Sequence, residues 1–216
     1  MCRLCVATNA VHEIHSNPYW REPSGRLFGQ LLRRLQRAQG SPTATRERQN
    51  NMPYRIFNSQ IEVAEYADSL DRRWPQRQEI ARHISSHLLH LPSRVPFVLE
   101  LCCGPGALAA VILADHPSIR YMGIDISAPS LSYAQERLEA YGDRVELVQA
   151  DLNEDGWTQI VPEPPMAIVT MQSLHDLGDE KSVARIYALA RSALASGGIF
   201  ANADLLAHTV EEPGSN

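Results

Sequence analysis

Three acidic residues sit at the ends of short apolar runs: Glu100 in Val98-Leu99-Glu100-Leu101, Asp125 in Met122-Gly123-Ile124-Asp125, and Asp151 in Val148-Gln149-Ala150-Asp151. The first run leads directly into Cys102-Cys103-Gly104-Pro105-Gly106-Ala107. Glycines in such a turn let backbone approach a ligand closely, and a helix starting after them offers free N–H groups. Asp125 follows Gly106 by 19 residues. A carboxylate at that spacing can accept both hydroxyls of a ribose, although an Asp at a strand end also serves as an ordinary helix cap. His175, within Met171-Gln172-Ser173-Leu174-His175-Asp176-Leu177, can take a proton from a hydroxyl or amine near neutral pH. The same histidine can equally just shape its loop. Together these residue types point to the binding of a nucleoside-bearing cofactor in an acidic crevice.

Only a parallel sheet brings such residues to one place. From Pro96 onward, apolar runs alternate with helical patterns. The sequence predicts strands over 97–101, 120–124, 145–149, 166–171 and 199–206. It predicts helices over 106–114, 129–141 and 179–194, with a short helix or turn over 154–160. Ser127 or Ser130 caps the second of these helices, and Pro129 suits its first turn. Strands alternating with helices mean βαβ units and an α/β, Rossmann-like fold with helices on both faces. All the strand ends then line one edge, where ligands bind. Two further helices, over 56–70 and 76–91, precede the sheet, separated by Trp74-Pro75.

Residues 54–206 resemble the class I S-adenosylmethionine-dependent methyltransferases that act on small molecules. The motifs carrying the resemblance are the glycine turn with Glu100, the strand-end Asp125, the strand-end Asp151, the stretch 171–177 and the Ser196-Gly197-Gly198 turn. The family usually has glycine where Cys102 stands. The resemblance implies that Glu100, Cys102, Gly104 and Gly106 surround the methionine part of S-adenosylmethionine. It implies that Asp125 holds the ribose and Ile126 packs on adenine. Asp151 would bond the adenine amino group, with Leu152 beside the ring. Gln172 would flank cofactor and substrate, and His175 would be the general base. The helices over 52–95 resemble a lid over the acceptor, with Tyr54, Tyr66 and Trp74 as substrate contacts or as core. A sulfonium is already activated, so alignment of nucleophile, methyl and sulfur supplies much of the acceleration of an in-line transfer.

Other readings meet particular residues. A nicotinamide dehydrogenase uses a similar glycine turn, but it gives Asp151 and the stretch 172–175 no role and places Glu100 near a pyrophosphate. Amino-methyltransferases of nucleic acids carry a Pro-Pro-aromatic motif after the fourth strand. Here Pro164-Pro165 precedes that strand, which speaks against DNA or RNA as acceptor. A non-catalytic remnant or interaction module is the third alternative. No metal site is expected: Cys2-x-x-Cys5 with His12-x-x-His15 is too tight for a zinc finger, and His83, His87 and His90 read as a solvated helix flank. Cys102 and Cys103 read as small buried side chains.

Composition fits this picture. The 216 residues are 44% hydrophobic and 21% charged, with a net charge of −5. That balance excludes a disordered or fibrous chain. Residues 1–55 hold nine Arg, no Lys and three Glu, so the remainder carries the acidic excess. No apolar run reaches 18 residues, so no transmembrane helix or membrane partner is expected. The N-terminus does not read as a signal peptide, and four cysteines at these spacings form no disulfide framework, so a cytoplasmic location is expected. Residues 1–51 read as a poorly ordered basic extension, with an amphipathic helix around Leu27 to Leu35 and a natural start at Met52 both conceivable. The Rossmann-like domain covers 96–216. Class I methyltransferases have seven strands and this chain has room for five, so an open, apolar fifth edge is expected. Such an edge invites pairing, for example in a homodimer.

Overall fold

A computed structural model describes residues 2–8, 57–154 and 156–205. Tyr54, His12, His15, the segment around Leu27 to Leu35 and Met52 fall outside the described residues. The elements run β1 (Cys2–Thr8), α1 (Gln60–Arg73), α2 (Arg77–His87), β2 (Phe97–Leu101), α3 (Ala107–Asp115), β3 (Arg120–Asp125), α4 (Ala128–Arg137), β4 (Val145–Gln149), β5 (Ala167–Met171), α5 (Glu180–Ala193) and β6 (Ile199–Leu205). The expected alternation is present. The segment 154–160 is a single 3-10 turn over Trp157–Gln159.

Local chemistry explains the boundaries. Ser59 caps α1, accepting from the Glu62 N–H at 3.3 Å, while Glu62 reaches back to the Asn58 N–H. Pro75 separates α1 from α2, because a proline in a helix interior removes a donor and clashes with the preceding turn. Ser127 caps α4. Asp179 caps α5, accepting from the Ser182 N–H at 2.9 Å.

The sheet order is β1-β6-β5-β2-β3-β4. Strands β2 to β6 are parallel, the five the sequence predicts. β1 is the exception: it pairs antiparallel with β6, from Cys2↔Leu205 to Thr8↔Ile199. Two expectations are corrected here. Cys2–Thr8 is a strand and not part of a poorly ordered extension, and the β6 edge is occupied by β1 and not left open for a second copy. The physical reason is the unpaired row of N–H and C=O groups on β6, which any compatible extended segment satisfies.

Both faces of the sheet are covered. On one face Ile80, Ile84, Leu108 and Ile112 pack with Val98, Tyr121, Val169 and Ala201. On the other, Trp157, Leu174, Ile186 and Ala190 pack with Leu99, Met122, Ile168 and Phe200. Double burial explains why β2 and β5 read as continuous apolar runs and not as alternating ones. α2 contributes to the first cluster through Ile80 and Ile84, so it belongs to the core. Among the described residues no helix is long and apolar enough to cross a membrane.

Candidate functional site

The chain runs from β2 outward to β3 and β4, then returns to the opposite side of β2 to form β5. The crevice above β2 and β5 is where ligands bind in open α/β sheets. It is lined by Glu100, Cys102, Gly104, Asp125, Ile126, Asp151, Leu152 and Gln172 from the strand ends, and by Phe57, Tyr66, Leu70 and Arg77 from the N-terminal helices. Eight of the nine residues expected around the cofactor therefore share one cavity.

Gly106, the ninth, does not line it. Gly106 caps α3 with φ +73°, and a Cβ there would meet Ala134 Cβ at 3.2 Å and Leu138 Cδ1 at 3.3 Å. It serves the turn and the approach of α3 to α4. Gly104 differs: its φ is +51°, and a Cβ on it would meet nothing within 4 Å. Backbone there faces empty space of the crevice, as an approaching ligand requires.

Asp125 is held from behind. Its Oδ2 accepts from the Gly104 N–H at 2.7 Å and its Oδ1 from the Ser127 N–H at 2.8 Å. Burial raises its pKa, and those backbone hydrogen bonds oppose the rise. Each carboxylate oxygen keeps a further lone pair, so the group can still accept from a diol. Asp151 Oδ1 accepts from the Asn153 N–H at 2.8 Å, fixing the turn that presents Leu152.

Glu100 is 3% exposed, and burial pushes its pKa up to about 8. Its one hydrogen bond comes from the Tyr121 hydroxyl. Cys102, in the position where glycine is usual, adopts φ +54°. Burial also pushes its thiol well up, which keeps it from acting as a thiolate nucleophile.

Tyr66 lines the crevice, whereas Trp74 does not and ends α1. His175 also lies off the lining, on the 3-10 turn Leu174–Leu177. Its Nδ1 is 2.6 Å from Asp204 Oδ1 and its backbone N–H donates to Asp204 Oδ2 at 3.1 Å. The hydrogen bond with Asp204 raises the His175 pKa. On the flank of α2 the His83 and His87 rings meet edge to face at 5.1 Å. Among the described residues no three His, Cys, Asp or Glu form a metal-binding group.

Two site residues escaped the sequence reading. Asp204 stands one residue before the end of β6, much as Asp125 stands at the end of β3, which is a usable signal. Arg77 had none, because an arginine at the start of an amphipathic helix looks like any solvated charge.

The crevice suits a cationic, nucleoside-bearing ligand. Four carboxyl groups line it, those of Glu100, Asp125, Asp151 and Asp176, Gly104 leaves room at the turn, and the buried Arg77 Nε has no hydrogen-bond partner. A parallel sheet with this glycine turn and a strand-end Asp defines a Rossmann-like nucleoside-binding domain.

Comparison with known proteins narrows that class. Residues 98–198 match the family model described as a methyltransferase domain. Residues 98–198 are thus similar to the methyltransferase domain of class I S-adenosylmethionine-dependent enzymes, whose cofactor is S-adenosylmethionine. A trans-aconitate 2-methyltransferase of Paracidovorax citrulli is 37% identical over 117 residues, covering 51% of this chain and 41% of that protein. The ribosomal RNA small subunit methyltransferase H of a Synechococcus species is 29% identical over 99 residues, covering 44% and 31%. An O-methyltransferase family protein of Burkholderia thailandensis shares the fold with a TM-score of 0.53 and 20% identity, covering 63% of this chain and 39% of that one. The chain thus spans less than half the length of these proteins.

Proposed function

We propose that this protein binds S-adenosylmethionine in the β2–β5 crevice and transfers its methyl group to a small molecule. The observation that carries the reading is the convergence of Glu100, Gly104, Asp125 and Asp151 on one cavity. Asp125 accepts from the ribose hydroxyls. Asp151 accepts from the adenine amino group, and Ile126 and Leu152 sandwich the ring. Glu100 faces the positively charged methionine end.

Phe57, Tyr66 and Leu70 form an apolar wall on the lid side and exclude water from the transfer path. The acceptor attacks the methyl group in line with the departing sulfur, and alignment by this wall and Gln172 supplies much of the rate. His175, oriented by Asp204, accepts the proton an O–H or N–H acceptor releases. Reaching the acceptor requires the 3-10 turn to swing toward the crevice, since His175 stands off it. The trans-aconitate relative and a 31% identical Streptomyces pristinaespiralis enzyme acting on 4-amino-L-phenylalanine support a small acceptor. The Pro-Pro-aromatic signature of nucleic-acid amino-methyltransferases is missing after β5, where Gln172-Ser173-Leu174 stands.

Calorimetric titration with S-adenosylhomocysteine tests the cofactor assignment, with nicotinamide dinucleotide as control. Micromolar binding of the first and none of the second is expected. The reverse preference would move the protein to the oxidoreductases. Turnover in a panel of small carboxylic and amino acids then tests the acceptor class.

A further inference from the structure

The residues lining the crevice divide by their place in the sheet. Glu100 lies in β2, Asp125 ends β3 and Asp151 follows β4, all toward one end of the strand order. Asp176 and Leu177 follow β5, on the opposite side of β2. Phe57, Tyr66 and Leu70 face the same cavity from the lid. Beyond the groups proposed for the cofactor, two charged lining residues remain among the described ones, Arg77 and Asp176. They differ in access. Arg77 is 8% exposed and its Nη1 donates to Gln172 Oε1 at 2.5 Å. The Asp176 side chain is 51% exposed. The charge that an acceptor entering past the lid can reach is therefore the Asp176 carboxylate.

That carboxylate has room for a ligand. His175 Nε2 stands 3.4 Å from Asp176 Oδ1, longer than an ordinary N–H···O bond. The same ring is held at Nδ1 by Asp204 Oδ1 at 2.6 Å. Two carboxylates thus flank one imidazole, and the group of three stays negative even when His175 is protonated. A carboxylate accepts at both oxygens, so Asp176 can meet a ligand's N–H groups without giving up His175. The lid supplies the complementary surface. The Phe57 and Tyr66 rings lie 5.1 Å apart at 46°. Such rings attract a cation over their faces and bury a flat apolar body. An acceptor carboxylate placed here would instead meet Asp176 as a like charge.

We propose that the methyl acceptor is a small amine with an aromatic or apolar body, its nitrogen held by Asp176 and its body against Phe57, Tyr66 and Leu70. This inference rests on the cofactor reading above. The amine binds as its ammonium and gives one proton to His175. The freed lone pair forms the new N–C bond, and the methyl C–S bond breaks with its electron pair left on sulfur. The products are the methylated ammonium and S-adenosylhomocysteine.

The test loads the full chain with S-adenosylhomocysteine and titrates it by calorimetry with phenethylamine, phenethyl alcohol and 3-phenylpropionate, which share one body and differ in charge. The amine is expected to bind about 5- to 10-fold more tightly than the alcohol, the worth of a charge-assisted hydrogen bond to a half-exposed carboxylate, and the acid most weakly. Asp176→Asn is expected to bind amine and alcohol alike while taking up S-adenosylhomocysteine as before, which reports an intact fold. Asp68→Asn, at an exposed carboxylate of α1 off the lining, should keep the wild-type preference. If the loaded protein prefers the acid, binds the three ligands equally or binds none, the inference is overturned and the cofactor reading stands. An amine preference that survives in Asp176→Asn overturns it as well. If the wild type does not bind S-adenosylhomocysteine, the cofactor reading fails and the inference falls with it.

Discussion

The Tyr121 hydroxyl donates to Glu100 Oε2 at 2.8 Å, with both residues buried. Gly123 makes this contact possible. It is the register partner of Glu100, and a Cβ on it would stand 2.8 Å from the Tyr121 hydroxyl and 2.8 Å from Cys103 Sγ. The strand neighbour of Glu100 must therefore lack a side chain. The pair places a carboxyl group under the crevice in an environment that favours its neutral form.

Glu100 makes stability depend on pH. Its folded value of about 8 lies above its ordinary 4.5. Between those values the folded protein binds more protons than the unfolded chain, so stability falls as pH rises from 4.5 to 8. Glu100→Gln keeps an acceptor for Tyr121 and removes the titration. Melting temperatures across pH 5–9 are expected to fall less steeply in this variant than in the wild type. Parallel slopes would show that Glu100 is not the group responsible.

Cofactor affinity should depend on the same carboxyl. A cationic ammonium favours ionised Glu100, so binding of S-adenosylhomocysteine below pH 8 should release protons. Calorimetry in buffers of different ionisation enthalpy reads this directly. Glu100→Gln should abolish that release and weaken binding.

Gly104 and Gly106 should separate in mutagenesis. Gly104→Ala costs on the order of 1 kcal/mol for its positive φ, since nothing crowds its Cβ. Its methyl group projects into the crevice, so the expected loss is in S-adenosylhomocysteine affinity, about tenfold or more. Gly106→Ala adds a packing clash against α4 to the same strain, for roughly 2–3 kcal/mol of lost stability. Denaturant titration and calorimetry on both variants check the contrast.

Asp125→Asn should weaken S-adenosylhomocysteine by about 10- to 100-fold, the worth of a charged hydrogen bond to a hydroxyl. The variant also disturbs the contacts to Gly104 and Ser127, so a melting curve should accompany the titration. Unchanged affinity would remove the ribose assignment.

Asp204→Asn should lower the His175 pKa, since the Asp204 hydrogen bond is the main cause of its elevation. A titration of the His175 ring by NMR reads the shift. The proton-linked stabilisation is fully present below the ordinary 6.5 and is lost as pH rises through the elevated folded value. The wild type should therefore exceed Asp204→Asn in stability most clearly in mildly acidic solution.

The sequence by itself determined the parallel α/β layout, because β2, β3 and β5 are continuous apolar runs separated by capped helical patterns. It also determined most of the crevice. Glu100, Asp125 and Asp151 stand at strand ends, and a parallel sheet necessarily brings strand ends to one edge. Gly106 was legible as a turn glycine, but its duty toward Ala134 and Leu138 was not, since that contact joins two helices distant in sequence. Arg77 was decided by the tertiary structure alone. A local pattern cannot distinguish a solvated arginine from one that the packing of α2 on the sheet drives inward to meet Gln172, 95 residues away. The edge strand β1 is the same case. Cys2–Thr8 has little amphipathic signal of its own, and it becomes a strand only because β6 presents an unpaired backbone to receive it.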